Sequence, residues 1–204
     1  MNKRPLLSIV IPTKDRYFYL KKLIVLIDSF QSTEIELVLQ DNTFDNTEII
    51  EFLQQKDYSY IQYAHKSEQI PVSLNSDLAI LNSTGEFVCF IGDDDGVTSY
   101  IIDCAHWMKQ HNIDVVVPAQ ISYSWPDFIS KNGLSYSGKL IHQPLDGKII
   151  PIDPIQALSD IMAKGFINRG HLPLVYHGIV KQSILDKIYE IGGTYFPAPS
   201  PDIA

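Results

Sequence analysis

Positive charge is in short supply in this chain: 16 Lys and Arg stand against 24 Asp and Glu, a formal net charge of −8. A protein that grips nucleic acid needs a basic footprint, so that partner class is disfavoured. A nucleotide ligand is not, provided that a metal or local lysines offset its phosphates. Cysteine is scarcer still, with only Cys89 and Cys104, too few for a disulfide framework. Cys89 falls in an apolar strand-like stretch and Cys104 in a helix-like one, so both read as reduced core residues. No apolar run approaches the roughly eighteen residues of a membrane span. The start, Met1 to Pro5 followed by Leu6 to Ile11, has the outline of a secretion signal. Ser8 interrupts its apolar part, Pro12 ends it and no small-residue cleavage site follows, so a first core strand in a cytoplasmic chain is the better reading. What is present is ordinary: 45% hydrophobic and 20% charged residues over 204 positions, enough for one large soluble domain, or one domain with an appendage.

Apolar periodicity organises the first 118 residues. Leu6 to Ile11 is a β-branched run closed by Pro12, which predicts a buried strand. Tyr17 to Phe30 carries Leu20, Leu23, Ile24 and Ile27 at helical spacing. Strands are then expected at Glu36 to Leu39, Tyr60 to Tyr63, Phe87 to Ile91 and Asp114 to Val117. Helices fall between them at Thr47 to Gln55, Val72 to Asn82 (closed by Gly85) and Tyr100 to His111. Alternation of this kind, with short connections, predicts an α/β fold: an open, mostly parallel sheet with helices on both faces. Residues 119 to 151 are rich in Ser, Tyr, Gly and Pro and read as loops and short strands. A helix is expected over Asp153 to Ala163 with Pro154 in its first turn, a strand over Leu174 to Val180 and a helix over Gln182 to Glu190. The division implied is 1–118 for the alternating half and 119–204 for a smaller second half. The abrupt end at Pro197 to Ala204 points to a chain cut short at its C-terminus.

Chemistry concentrates in Phe90-Ile91-Gly92-Asp93-Asp94-Asp95-Gly96. Three adjacent carboxylates at the end of a buried strand repel one another and lose solvation. Solvent in an acidic turn could compensate them, or a divalent cation taking hard oxygen ligands, Mg²⁺, Mn²⁺ or Ca²⁺. Open α/β sheets bind ligands outside the carboxyl ends of their strands. Asp41 and the run Asp93 to Asp95 both fall at such ends, which favours the ligand reading.

Three segments together resemble the family-2 glycosyltransferases with their GT-A fold. They are Ser8-Ile-Val-Ile-Pro-Thr-Lys-Asp15-Arg16, Val38-Leu-Gln-Asp41-Asn-Thr-Phe-Asp45-Asn-Thr47 and Thr84-Gly-Glu-Phe-Val-Cys-Phe-Ile-Gly-Asp93-Asp-Asp95. The resemblance implies a Rossmann-like nucleotide-binding half and a smaller acceptor-side half. It also implies inverting transfer of a sugar from a nucleotide diphosphate donor, a UDP-sugar being favoured, with Mg²⁺ or Mn²⁺. The acceptor would be a saccharide or lipid-linked, in cell-surface polysaccharide synthesis, with room for peripheral membrane association and for a homodimer. Carried over by position, Pro12, Thr13 and Asp15 would border the nucleotide pocket. Asp41 would accept a hydrogen bond from the base, since an ionised carboxylate is acceptor-only and suits an imide N–H; Asp45 fits helix capping better. Asp93 and Asp94 would hold the metal across the donor's phosphates, with Asp95 as a third metal ligand or an orienting group. Asp202, in Ser200-Pro201-Asp202, matches the context of the family's late catalytic base, and a helix cap is its plainer alternative.

The chain departs from the family pattern in three places. Gln40-Asp41 stands where an acidic pair is common, Gly92 where an Asp is common, and Ser76-Asp77 where an Arg-Asn pair is common. Lys66 or Arg16 could partly replace the missing cation. His177 could line the acceptor side or approach the metal, and Trp125, Tyr123 and Tyr136 could stack on a sugar; Trp107 reads as core. Two other functions remain on this fold, a non-catalytic nucleotide-binding or partner module and a nucleotidyltransferase. The latter would want a glycine-rich basic loop after the first strand, which Lys14-Asp15-Arg16 does not provide. A phospho-receiver module fits poorly, because strand one ends in Pro-Thr and strand five in Pro118-Ala119.

Overall fold

The computed structural model of the chain describes residues 4–119, 121–127, 137–142, 147–165 and 172–197. In chain order the elements are β1 (Leu7–Thr13), α1 (Tyr17–Asp28), β2 (Ile35–Asp41), α2 (Thr47–Leu53), β3 (Ile61–His65), α3 (Val72–Leu81), β4 (Phe87–Phe90), α4 (Tyr100–His111) and β5 (Val115–Val116). They continue with β6 (Ile121–Tyr123), β7 (Leu140–His142), α5 (Pro154–Ala163), β8 (Ile179–Lys181) and α6 (Gln182–Gly192). Two compact units result, one of Met1–Val116 with Leu174–Ala204 and one of Val117–Pro173.

The first unit is built on a sheet of order β3-β2-β1-β4-β8-β5. β1, β2, β3 and β4 are mutually parallel, while β8 runs antiparallel to both β4 and β5. The central strands are buried along almost their whole length because both faces are covered. Ile9 and Ile11 point into a layer with Leu20, Ile24, Leu37, Leu39, Ile49 and Met108. Val10, one residue out of phase, points the other way, into Val38, Ile80, Val88, Phe90 and Leu185. Register fixes the functional end: Thr13 lies opposite Asp41, and Val10 opposite Phe90.

A buried carboxylate knots the opposite end of these strands. Glu36 accepts from Ser8 Oγ, from Thr84 N (2.5 Å) and Oγ1 (2.6 Å), from Gly85 N (3.0 Å) and from Gln62 Nε2 (2.6 Å). Gly85 is needed here for a different reason from the expected helix cap. α3 ends in an ordinary right-handed conformation at Asn82, whereas a Cβ on Gly85 would lie 2.5 Å from Ser8 Oγ and 2.7 Å from Ser8 N. The strand expected over Leu174 to Val180 is also shorter, starting at Ile179. His177 takes a left-handed φ of 62°, Gly178 N donates to Val175 O, and a Cβ on Gly178 would meet Leu174 O at 2.0 Å. A turn therefore occupies residues 175–178, with one parallel bridge from Tyr176 to Phe90.

In the second unit β6 and β7 form an antiparallel pair, Tyr123 opposite Leu140, and Trp125 stacks edge-on against Tyr123 at 5.4 Å. α5 starts as its sequence predicts: Asp153 accepts from Ile155 N and Gln156 N, with Pro154 in the first turn. Tyr136 lies outside the described residues. None of the described helices is long and apolar enough to cross a membrane.

Removing Glu36 would leave the buried Ser8, Thr84 and Gly85 donors without their acceptor. Glu36→Ala should therefore cost about 3 kcal/mol or more, read as a lower urea midpoint at unchanged slope. A loss below about 1 kcal/mol would mean that water replaces the carboxylate.

Candidate active site

The strand order places a topological switch between β1 and β4: the chain winds outwards through β2 and β3, then returns to the other side of β1. Open α/β sheets form their ligand crevice at such a point. Here the crevice is bridged by a hydrogen bond from Thr13 Oγ1 at the end of β1 to Asp93 Oδ2 after β4, at 2.6 Å. Asp15, exposed and at φ 57°, turns the chain into α1, its N–H held by Thr43 Oγ1 at 2.8 Å. The turn delivers Arg16, whose guanidinium reaches Asp93 Oδ1 at 3.2 Å and Asp94 Oδ2 at 2.6 Å. Thr13, Arg16, Asp93 and Asp94 thus meet in one cluster.

The three acids differ in environment. Asp93 is 4% exposed, and burial pushes its carboxyl up to about 6, the Asp94 charge adding to the rise while Thr13 and Arg16 pull it back. Asp94 is half-buried beside Arg16. Asp95 turns back on the loop: its Oδ2 accepts from Gly92 N, Tyr176 Oη and His177 Nε2, each at 2.8 Å. His177 thus contacts the acidic loop through Asp95, and its ring packs on that of Tyr176 at 3.9 Å.

Asp41 is fully buried at the end of β2. Its Oδ2 accepts from Tyr17 Oη (2.6 Å) and Tyr63 Oη (2.7 Å), and its Oδ1 from Thr43 N (2.8 Å). Burial first, and then these bonds to the carboxylate, push both phenols above their usual range. Asp41 has no bond to the acidic loop among the described residues. Nearby, Asn42 ties the chain after β3 to the pocket wall, donating to Lys66 O and Glu68 O and accepting from Ile70 N. Asp45 takes the capping role, its Oδ1 accepting from Thr47 N at 3.0 Å and Thr47 Oγ1 at 2.6 Å. Pro12 is half-buried beside Thr13. Asp202 lies outside the described residues.

Tyr17, Tyr63 and Tyr176 carry site contacts that the sequence did not single out. Tyr17 sits at the first residue of an amphipathic helix and Tyr63 inside a strand, so apolar periodicity absorbs both as core. The signal that could have found them is chemical: a buried acid at a strand end needs donors, and no cation follows Asp41.

Asp93 binds its proton more tightly in the folded than in the unfolded chain. Its contribution to stability is therefore full below about pH 4 and is lost as pH rises through about 6, a difference of roughly 3 kcal/mol. In EDTA, Asp93→Asn should melt above the wild type at pH 7.5 and lose that advantage at pH 4. A variant no more stable at pH 7.5 would show that Thr13 and Arg16 already compensate the charge.

Residues 8–160 match the sequence profile of glycosyl transferase family 2. A GalNAc(5)-diNAcBac-PP-undecaprenol beta-1,3-glucosyltransferase from Campylobacter jejuni is 31% identical over 97 residues, 47% of this chain and 31% of that protein. Among solved structures, TarS 1-349 from S. aureus in complex with UDP covers 89% of this chain and 48% of its own, at 18% identity and TM-score 0.56. Its complex with UDP-GlcNAc gives 17% identity and TM-score 0.55. The likeness to TarS is one of fold, the GT-A type, and this chain spans about a third of the curated relative's length. The profile match covers most of the chain and includes all three strand-end segments, so the chain belongs to glycosyl transferase family 2.

Proposed function

We propose that this chain carries the donor-binding and catalytic part of an inverting, metal-dependent glycosyltransferase. It would move a sugar from a UDP-sugar to a saccharide or lipid-linked acceptor in cell-surface polysaccharide synthesis. One observation carries the reading: the acidic run meets Thr13 and Arg16 at the switch point of the sheet, where a nucleotide diphosphate would lie. The relative's name specifies an undecaprenol-linked acceptor, and TarS has been solved with UDP and UDP-GlcNAc, which supports a UDP-sugar and a lipid-linked acceptor here. Such an acceptor would bring the enzyme to a membrane surface.

The donor set fits a divalent cation. Asp93 and Asp94 offer hard oxygens, and Asp93 is buried with its charge incompletely compensated. No group of three or more His, Cys, Asp or Glu converges among the described residues. Mg²⁺ asks for no more, since it takes one or two carboxylates and completes its shell with phosphates and water; Mn²⁺ accepts the same oxygens. When bound, the cation would neutralise charge on the departing diphosphate. Asp95, the third acid of the run, would orient the loop that presents Asp93 and Asp94, its Oδ2 held by Gly92 N, Tyr176 and His177.

The chain's own groups supply the rest. Thr13 orients Asp93, and Arg16 would give a second positive charge to the phosphates once it leaves the carboxylates. Pro12 and Asp15 would border the nucleotide. Asp41 would present an anchored acceptor near the base, its orientation fixed by Tyr17 and Tyr63. Asp202 would take the proton from the acceptor hydroxyl, completing an in-line displacement with inversion.

Calorimetry with UDP tests the donor site. Binding should require Mn²⁺ or Mg²⁺, and Asp94→Ala should weaken it about 100-fold, the loss of one charged ligand. Metal-independent binding that survives Asp94→Ala would sink the cation assignment. For the base, Asp202→Asn should lower transfer about 10²–10⁴-fold with UDP affinity unchanged; full activity in that variant would move the role elsewhere.

A further inference from the structure

Arg16 precedes α1, directly after the turn that Asp15 makes at φ 57°. Its guanidinium divides between two acids: Nη1 lies 3.2 Å from Asp93 Oδ1, and Nη2 donates to Asp94 Oδ2 at 2.6 Å. The three side chains differ in access to water, Arg16 being 44% exposed, Asp94 35% and Asp93 4%. One positive charge therefore serves two negative ones, and an ion pair this open to solvent is weak enough to exchange. Lys14, two residues earlier, donates instead to Gln69 Oε1 at 2.8 Å.

The oxygens that Arg16 covers are those a cation would need. Asp93 gives Oδ1 to Arg16 and Oδ2 to Thr13 Oγ1, and Asp94 gives Oδ2 to Arg16. A guanidinium carries donors and no acceptor, so it cannot join a metal's ligand shell and can only compete for the same carboxylates. Repulsion between two positive charges works in the same direction. Releasing Arg16 does not free the loop. Thr13 keeps its oxygen of Asp93, and Asp95 Oδ2 still accepts from Gly92 N, Tyr176 Oη and His177 Nε2. A released guanidinium pairs best with another set of anionic oxygens, and its planar fork matches those of a phosphate.

We propose that Arg16 is an exchangeable counterion that couples cation binding to donor binding: it covers one oxygen of each of Asp93 and Asp94, then passes to the donor's diphosphate as those oxygens are given up to the cation. The inference rests on the transferase reading above. Arg16 opposes a cation that arrives alone, and a donor that arrives alone must draw Arg16 away from the acids. Together the two ligands relieve each other, so each raises the affinity of the other by the same factor.

The test uses the full chain and compares Arg16→Met, Arg16→Lys and Lys14→Gln with the wild type. Mn²⁺ alone is titrated by electron paramagnetic resonance of the free ion, and UDP by calorimetry with and without saturating Mn²⁺. Arg16→Met should bind Mn²⁺ alone about fivefold more tightly, the release of a half-exposed ion pair. The gain in UDP affinity on adding Mn²⁺ should shrink at least about tenfold, within the usual range of coupling between sites. Arg16→Lys keeps the charge but not the fork and should fall between. Lys14→Gln removes a neighbouring charge without touching the acids, and both constants should stay within about twofold of wild type. Weaker binding of Mn²⁺ alone by Arg16→Met would overturn the proposal, since Arg16 would then support the acids rather than compete for them. Tighter Mn²⁺ binding with an undiminished UDP gain would overturn it too, because the released guanidinium would not reach the diphosphate. Equal changes in Lys14→Gln would assign the effect to the general field of the site and overturn the exchange. A wild type in which Mn²⁺ does not promote UDP binding would retire both readings, whereas a promoting wild type with an unaltered Arg16→Met variant retires only the exchange.

Discussion

The hydrogen bond from Thr13 to Asp93 joins the two strands that flank the switch in strand order. It sits where no backbone ladder continues: β4 ends at Phe90 and the last paired residues of β1 and β4 are Val10 and Phe90. Beyond that level the crevice walls are held together by side chains. Thr13 holds one oxygen of Asp93 and Arg16 the other, so the acidic loop is pinned to β1 by its most buried carboxylate. The cost is visible in that carboxyl's raised proton affinity, a strain tolerated at sites whose function needs charge out of water.

At the other end of the same strands, Glu36 does the converse. Its five donors close the loop between α3 and β4, and with Ser8 opposite Glu36 in the ladder they fix how far β4 slides along β1. Since the acidic run begins three residues after β4, that register sets the height at which Asp93 meets Thr13. A structural anion thus sets where the acidic run stands.

The alternation of strands and helices was legible because each central strand is buried on both faces and each helix on one, which writes the two periods directly into the chain. The strand-end positions of Asp41 and Asp93 to Asp95 followed from that pattern. Glu36 was not legible: in Ile35-Glu36-Leu37 it reads as the polar member of a strand, and only the approach of Ser8, Thr84 and Gly85 shows it to be buried. His177 was legible as chemistry but not as geometry, because its left-handed backbone and the turn before β8 arise from contacts with Phe90 and Leu174. Antiparallel β8, inserted between β4 and β5, depends on a pairing across 90 residues of sequence that no local period encodes.

Two departures from the family pattern, Gly92 and Asp77, act on the same stretch of chain. A Cβ on Gly92 would lie 3.0 Å from both Asp95 Oδ2 and Tyr176 Oη, and 3.1 Å from Asp94 Oδ1. A side chain there would press on the carboxylate that holds Tyr176 and His177 and require it to give way by a few tenths of an ångström. Asp77 holds Thr194, Tyr195 and Phe196. Between these two anchors lie the turn at 175–178, β8 and α6, so the whole of 176–196 is fastened at both ends by acids from the donor-side framework. Asp95 Oδ2 lies beside the position a side chain at 92 would take, and Asp77 accepts both backbone N–H groups through Oδ1 and the Thr194 hydroxyl through Oδ2.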